Sequence, residues 1–298
     1  MGTIAEKLTY LNGTKTAIKG ALQNRGVTVS DTDTFRSYAD KVGQIGETVE
    51  KTKFGASIDT WIGNVDENET LNGIIWRGAL NFVGVKRIGY RALPYTFYER
   101  TNITNVDLSS VQSVGEYGMT YAFGNCIGIT NVDLSSLQSV GRHGVNYTFL
   151  GCKNITNVDL SSVQSVDYYG MSYTFKGCTS LTSIDLSSLQ SVGDNGMCNA
   201  FEGCTGLTSI DLSSVQSVGE SGMYNAFANC TGITTISFPS LTSVLTNSFG
   251  ISAYNGVFKG CTALAEIHFR ADMQTTIEAM SQYANKWGAT NATIYFDL

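Results

Sequence analysis

Residues 103–128 read ITNVDLSSVQSVGEYGMTYAFGNCIG, and residues 129–154 read ITNVDLSSLQSVGRHGVNYTFLGCKN. Three further copies follow: ITNVDLSSVQSVDYYGMSYTFKGCTS, LTSIDLSSLQSVGDNGMCNAFEGCTG and LTSIDLSSVQSVGESGMYNAFANCTG. Their first letters, Ile103, Ile129, Ile155, Leu181 and Leu207, stand 26 residues apart, and Ile233 opens another copy at the same interval. One step back, Leu80, Phe82, Val85, Ile88, Leu93 and Phe97 fall under Val106, Leu108, Val111, Val114, Met119 and Phe123 as a worn first copy. The copy from Ile233 is longer by five residues, since Cys230 to Cys261 is 31. Seven coils therefore run from 77 to 263, with a partial eighth at Leu264, Ile267 and Phe269.

A unit this short cannot bury its own apolar side, so neighbouring units must stack on it. Val106 and Leu108 alternate with Asp107, the period of a short strand. Val111 and Val114 mark a second extended piece after the Ser109-Ser110 bend. Met119, Ala122 and Phe123 follow the i, i+3, i+4 spacing and predict about one helical turn. Gly118, Gly144, Gly170, Gly196 and Gly222 are expected to allow a tight corner there. Strands stacked about 4.8 Å apart make seven coils roughly 35 Å long. The fold class is mainly β: a solenoid over 77–269 with a helical N-terminal segment and a C-terminal helix-strand cap.

Composition narrows the function. The chain has 298 residues, 42% of them hydrophobic and 15% charged, which is enough to bury a substantial core. A net charge of -6 argues against a protein built to grip nucleic acid phosphates. No run of 18 apolar residues suits a membrane span. The opening MGTIAEKLTYLNGTK places Glu6 and Lys7 where a secretory signal needs an unbroken apolar stretch. Only two histidines, His143 and His268, are present, and neither has a Ser or Cys partner in a recognisable motif. No glycine-rich phosphate loop and no metal-binding CxxC occurs, so the expectation is a non-enzymatic protein without cofactor or metal.

The pattern AF-x-x-C-x-x-L-x-x-I-x-L … L-x-S-V-G resembles the BspA-like leucine-rich repeats, over nearly two thirds of the chain. That resemblance implies a right-handed solenoid used as an interaction surface, without catalysis. The chain departs from the family in carrying Ser-Ser where a proline often precedes the second strand, a proline kept only at Pro239.

Residues 1–46 read as a helical segment. Thr3-Ile4-Ala5-Glu6 has the capping-box pattern, and Ile4, Leu8, Leu11, Ile18 and Leu22 form a heptad stripe broken by Lys15. Asn12-Gly13 could divide it into two helices, and a further helix is expected at Thr34–Gly43. Residues 47–76 read as a linker with irregular β structure, centred on SIDTWIGNVDENETL. Residues 270–298 read as a cap: a helix from Asp272 to Lys286 with Ile277, Met280, Tyr283 and Trp287 apolar, then a strand Thr293–Leu298 with Ile294, Phe296 and Leu298 inward. The N-terminal segment, SIDTWIGNVDENETL and the ending KWGATNATIYFDL resemble tail-associated proteins of phages and prophages of Gram-positive bacteria. This implies attachment to other tail proteins through residues 1–46, and allows a homo-trimer, in a virion assembled in the bacterial cytoplasm.

Three columns recur at the repeat interval. Cys126, Cys152, Cys178, Cys204, Cys230 and Cys261 hold one inward place in each coil, which suits buried free thiols rather than disulfides and points to a reducing compartment; Cys198 is expected to be more exposed. Asp107, Asp133, Asp159, Asp185 and Asp211 stack like charges, relieved either by Asx-turns to the following amides or by bound cations. Tyr95, Tyr121, Tyr147 and Tyr173 form an aromatic column that ends at Asn199 and Asn225, beside Tyr117, His143 and Tyr169, which give way to Asn195 and Ser221. Such aromatics either stabilise the stack or form a recognition surface for a host cell-surface glycan or protein. A phage tail-associated host-recognition protein leads this reading. The alternative is a bacterial cell-surface adhesin of the same repeat family.

Overall fold

The computed structural model describes residues 78–298 apart from 83, 253 and 254. The helical segment 1–46 and the linker 47–76 lie outside the described residues. Each coil supplies two short strands, because Val106-type and Val114-type side chains alternate with polar neighbours and point inward. The first sheet is parallel and stacks β1 (Gly78–Asn81), β3 (Ile103–Asp107), β5 (Asn131–Asp133), β7 (Asn157–Asp159), β9 (Ser183–Asp185) and β11 (Ser209–Asp211). The second stacks β2 (Arg87–Ile88), β4 (Ser113–Val114), β6 (Ser139–Val140), β8 (Ser165–Val166), β10 (Ser191–Val192), β12 (Ser217–Val218) and β14 (Ser243–Val244). Register follows the repeat: Val106 faces Val132 and Val114 faces Val140. The worn first copy is a genuine coil, with Leu80 opposite Val106 and Phe82, Val85, Ile88, Leu93 and Phe97 buried.

The core is a set of ladders. Phe123, Phe149, Phe175, Phe201 and Phe227 are all buried, with successive ring centroids 5.4, 5.5, 5.6 and 5.7 Å apart. Beside them the thiol of each of the six column cysteines donates to a phenylalanine carbonyl one coil earlier: Cys152 Sγ to Phe123 O at 3.1 Å, Cys178 Sγ to Phe149 O at 3.3 Å. The thiols are free and buried. Cys198 corrects the expectation of exposure: it is buried, and its Sγ donates to Asn199 Oδ1 at 3.1 Å.

The third side of the coil is not a helical turn. From Gly115 to Cys126 the chain is a succession of tight turns in which alternate amides take different partners. Gly118, Thr120, Ala122, Gly124 and Cys126 donate three residues back, to Gly115, Tyr117, Met119, Tyr121 and Phe123. Tyr117, Met119, Tyr121, Phe123 and Asn125 donate instead to the next coil, at Arg142, Gly144, Asn146, Thr148 and Leu150. Positive φ at Tyr117, Tyr121 and Asn125 (54°, 55° and 57°) reverses the helical sense every fourth residue, so no helix can propagate. Gly118 is needed for a different reason than a corner: a Cβ there would meet Val114 Cγ1 at 2.8 Å.

The stack changes at its C-terminal end. The five extra residues of the last copy fall in a small antiparallel hairpin, β15 (Gly250–Ser252) with β16 (Asn255–Gly256). The first sheet stops at β11, and β13 (Thr235–Phe238), β17 (Glu266–Phe269) and β18 (Thr293–Phe296) form a separate parallel sheet. The split coincides with Ser237 and Pro239, which replace the aspartate and the amide of the Asx-turn found in earlier coils. The expected helix from Asp272 to Lys286 is shorter: a 3-10 turn Ala271–Met273, α1 (Gln274–Glu278) and a second 3-10 stretch Tyr283–Gly288. Left-handed Gln282, Lys286 and Trp287 interrupt it, and the Asp272 carboxylate binds Arg270 rather than capping. Ile277, Met280 and Trp287 are buried as expected, whereas Leu298 is exposed because the strand ends at Phe296.

Candidate functional site

The seven aromatic residues singled out from the sequence form two columns on the turn side, four residues apart within each coil. In the first, Tyr95, Tyr121, Tyr147 and Tyr173 stack ring on ring, with centroids 4.7, 4.3 and 4.4 Å apart and planes within 9° of parallel. In the second, Tyr117, His143 and Tyr169 stack at 4.7 and 5.1 Å. Tyr95 is exposed, and the other six are half-buried.

All seven occupy left-handed backbone, with φ between 50° and 57°. The third left-handed column of the same turns is the internal reference. It carries Glu99 in the first coil and then Asn125, Gly151, Gly177, Gly203 and Asn229, residues such backbone favours. The aromatic columns themselves give way in the later coils to Asn195, Asn199 and Asn225 and to Ser221, and Arg91 holds the second column's place in the first coil. A non-glycine residue here costs about 1–2 kcal/mol. A stacked aromatic pair returns about 0.5–1.5 kcal/mol beyond its burial. The two effects nearly cancel, so fold stability alone gives little reason to prefer tyrosine over asparagine.

Several neighbours lie outside the seven candidates, although Arg142 and Tyr168 are recognisable in the sequence as variable positions beside the columns. Tyr98 meets Tyr95 and Tyr121 edge-on, at 5.9 and 6.1 Å, and its hydroxyl accepts from Asn125 Nδ2 at 3.0 Å. Tyr168 packs edge-on against His143 and Tyr169. Cations lie over rings: Arg91 over Tyr117 at 5.4 Å, Arg142 over Tyr168 at 4.9 Å, Lys176 over Tyr173 at 5.4 Å. Arg142 and Tyr168 share one variable position of the repeat, Tyr98 and Lys176 share another, and Arg91 stands in the column of Tyr117, so the repeat alignment carries the signal.

Burial, with the neighbouring tyrosines, pushes the Tyr121 and Tyr147 phenols up to about 12. Burial, and then the Arg142 charge, lower His143 below the ordinary histidine value, with Glu116 opposing. The lower end of the tyrosine column meets a polar group. Lys176 Nζ lies 2.8 Å from Glu202 Oε2, which also accepts from Asn199.

The aspartate column behaves differently. Oδ1 of Asp107, Asp133, Asp159, Asp185 and Asp211 accepts the amide two residues on, at 2.8–3.0 Å. Each carboxylate is thus an Asx-turn acceptor. A shallow groove of about 1030 Å³ lies elsewhere again, along the second sheet, floored by Ser113-Val114-Gly115 and its repeats from Arg87 to Leu245.

Two solved structures are similar to the chain at a low level. The T. pallidum leucine-rich repeat protein is 17% identical with a TM-score of 0.32, over 74% of this chain and 75% of that one. A plant peptide hormone receptor, RGFR1 in complex with RGF2, is 15% identical with a TM-score of 0.27, over 73% of this chain and 39% of that one. No curated protein matches the chain. The family model described as BspA type leucine rich repeat region matches residues 92–221 and 172–286, in six copies. Those residues include every coil that bears the paired aromatic columns and make up more than half of the sequence, so the chain belongs to the BspA-type leucine-rich repeat family.

Proposed function

We propose that this protein is a non-enzymatic recognition protein of a phage or prophage tail, and that the two aromatic columns contact a glycan or protein on the host cell surface. One observation carries the site: tyrosine and histidine hold seven left-handed positions, whereas asparagine or glycine holds most of the equivalent positions in the later coils. Selection for the fold does not require that choice, whereas a contact surface does, because tyrosine gives large contact area and a hydroxyl at low entropy cost. The two columns also end together, which makes a patch rather than a uniform ladder. The resemblance of residues 1–46 to tail-associated proteins supports attachment to other tail proteins there, and the apolar stripe of Ile4, Leu8, Leu11, Ile18 and Leu22 supports self-assembly, with a homo-trimer as one form of it. The free, buried thiols accord with assembly in the bacterial cytoplasm before incorporation into the virion.

The test is binding of host cells or cell-wall fragments by the Tyr121→Asn/Tyr147→Asn/Tyr173→Asn variant, with Asp133→Asn/Asp159→Asn as control. Asparagine is the residue this column uses at 199 and 225, so the turn should persist. Loss of binding in the first variant alone is expected, and full binding by the folded first variant rejects this surface. Immunogold label on tail particles supports the virion assignment. Label on the cell envelope of the host strain favours the adhesin alternative.

A further inference from the structure

The stacking that builds the tyrosine ladder also decides what it can offer. At 4.3–4.7 Å between centroids and with planes within 9°, the ring faces of Tyr121 and Tyr147 are turned to their neighbours and closed. A sugar ring cannot enter that gap. What remains for a ligand is a row of ring edges and phenol hydroxyls. An aromatic edge carries the positive part of the ring quadrupole, and a phenol O–H is a donor. Burial keeps the Tyr121 and Tyr147 hydroxyls protonated well beyond physiological pH, with both phenols pushed up to about 12.

Charge follows the same boundary. The four turns with a ladder tyrosine carry Arg91, Arg100, Arg142, Lys153 and Lys176 against Glu99, Glu116 and Asp167. The next two turns, 193–206 and 219–232, carry Asp194, Glu202 and Glu220 and no cation. Over these six turns the ladder tyrosines and the cations therefore end at the same coil. Arg142 and Lys176 each lie over a ring of the patch. Their carboxylate partners, Glu116 at 3.8 Å and Glu202 at 2.8 Å, form partly exposed pairs, which water screens and a second anion can share.

We propose that the ladder takes an anionic, acceptor-rich cell-surface polysaccharide, read by the phenol hydroxyls and ring edges of Tyr121, Tyr147 and Tyr173 with Arg142 and Lys176 supplying the charge, rather than a neutral sugar stacked on ring faces. This rests on the recognition role assigned above and narrows it to a ligand class. The anion is a phosphodiester or a carboxylate, and the two sources are separated in the test.

The full chain is titrated with poly(glycerol phosphate), polygalacturonate and neutral dextran at two salt concentrations. Binding of at least one polyanion, at least tenfold tighter than dextran and weakened by salt, is expected; which one binds identifies the anion. Two variants accompany it. Tyr121→Phe/Tyr147→Phe/Tyr173→Phe keeps the stacked rings and deletes the donors. Arg142→Gln/Lys176→Gln keeps the ladder and deletes the charge. Each should weaken polyanion binding at least tenfold. Dextran binding as tightly as the polyanions, no binding of either polyanion, or full polyanion binding by the phenylalanine variant overturns the inference. If the asparagine variant loses host cells while the phenylalanine variant keeps them, the recognition surface stands and only this ligand class falls.

Discussion

Tyr173 and Asn199 hold the same place in successive coils, with φ of 57° and 55°, yet one closes an aromatic column and the other opens a polar one. Backbone geometry is thus common to both halves of the solenoid, and only the side chain changes. Tyr147→Asn removes two stacking contacts but relieves the left-handed cost, so stability should change by less than about 1 kcal/mol. Tyr147→Ala loses both stacking contacts with no backbone relief and should cost about 1–3 kcal/mol. Urea unfolding of both variants checks the order, and equal losses would remove the backbone argument for the site.

The phenylalanine ladder is a different case, because its rings are fully buried. Phe175 stacks between Phe149 and Phe201 at 5.5 and 5.6 Å. Phe175→Ala should cost about 3–5 kcal/mol. The loss is measured as a shift of the denaturant midpoint. A shift no larger than that of Tyr147→Asn would contradict the stacked core.

His143 makes the aromatic columns sensitive to acid. Its folded-state value is lowered, first by burial and then by Arg142, so the unfolded chain takes up the proton more readily. That contribution to stability is present above the ordinary histidine value of about 6.5 and is lost as pH falls below it. Carboxylates titrate in a lower range and affect every variant alike. The drop in Tm between pH 7 and pH 5.5 should therefore be smaller in His143→Tyr, a change that also makes the second column phenolic from Tyr117 through to Tyr169. An identical drop in both proteins would refute the assignment.

Thiol chemistry tests the cysteine column. Burial pushes Cys126 up to about 11 and Cys204 and Cys261 up to about 12, with Cys152, Cys178 and Cys230 raised as well. Reaction follows the thiolate, so these cysteines should resist alkylation in the native protein at pH 8 and react fully in denaturant. Cys198, raised to about 11, should behave likewise. Rapid native labelling at any of the seven would mean that its coil opens.

Much of this architecture is legible in the sequence because a repeat carries its packing with it. Once Val106, Leu108, Val114, Phe123 and Cys126 recur every 26 residues, their columns must stack, and the buried ladders follow from apolar periodicity alone. The Asx-turns were readable for the same reason, since Asp107 and Ser109 are local partners two residues apart. Even the worn first coil could be aligned through Leu80 and Phe97.

What the sequence could not disclose depends on partners in other coils. Met119, Ala122 and Phe123 have helical spacing, but whether Met119 N–H goes back along its own turn or across to Gly144 depends on the coil above. That choice alternates and places Tyr121 at positive φ, a conformation no propensity assigns to tyrosine. The same stacking closes the ring faces and leaves edges and hydroxyls outward, so the sequence named the aromatic surface while the tertiary structure decided what it presents. The cap followed suit: Ile277 and Trp287 were legible as apolar, but the left-handed break at Gln282 and the packing of Trp287 against Phe249 and Phe269 were not. Local spacing determines which residues are buried together, whereas hydrogen bonds between distant coils determine the backbone that carries them.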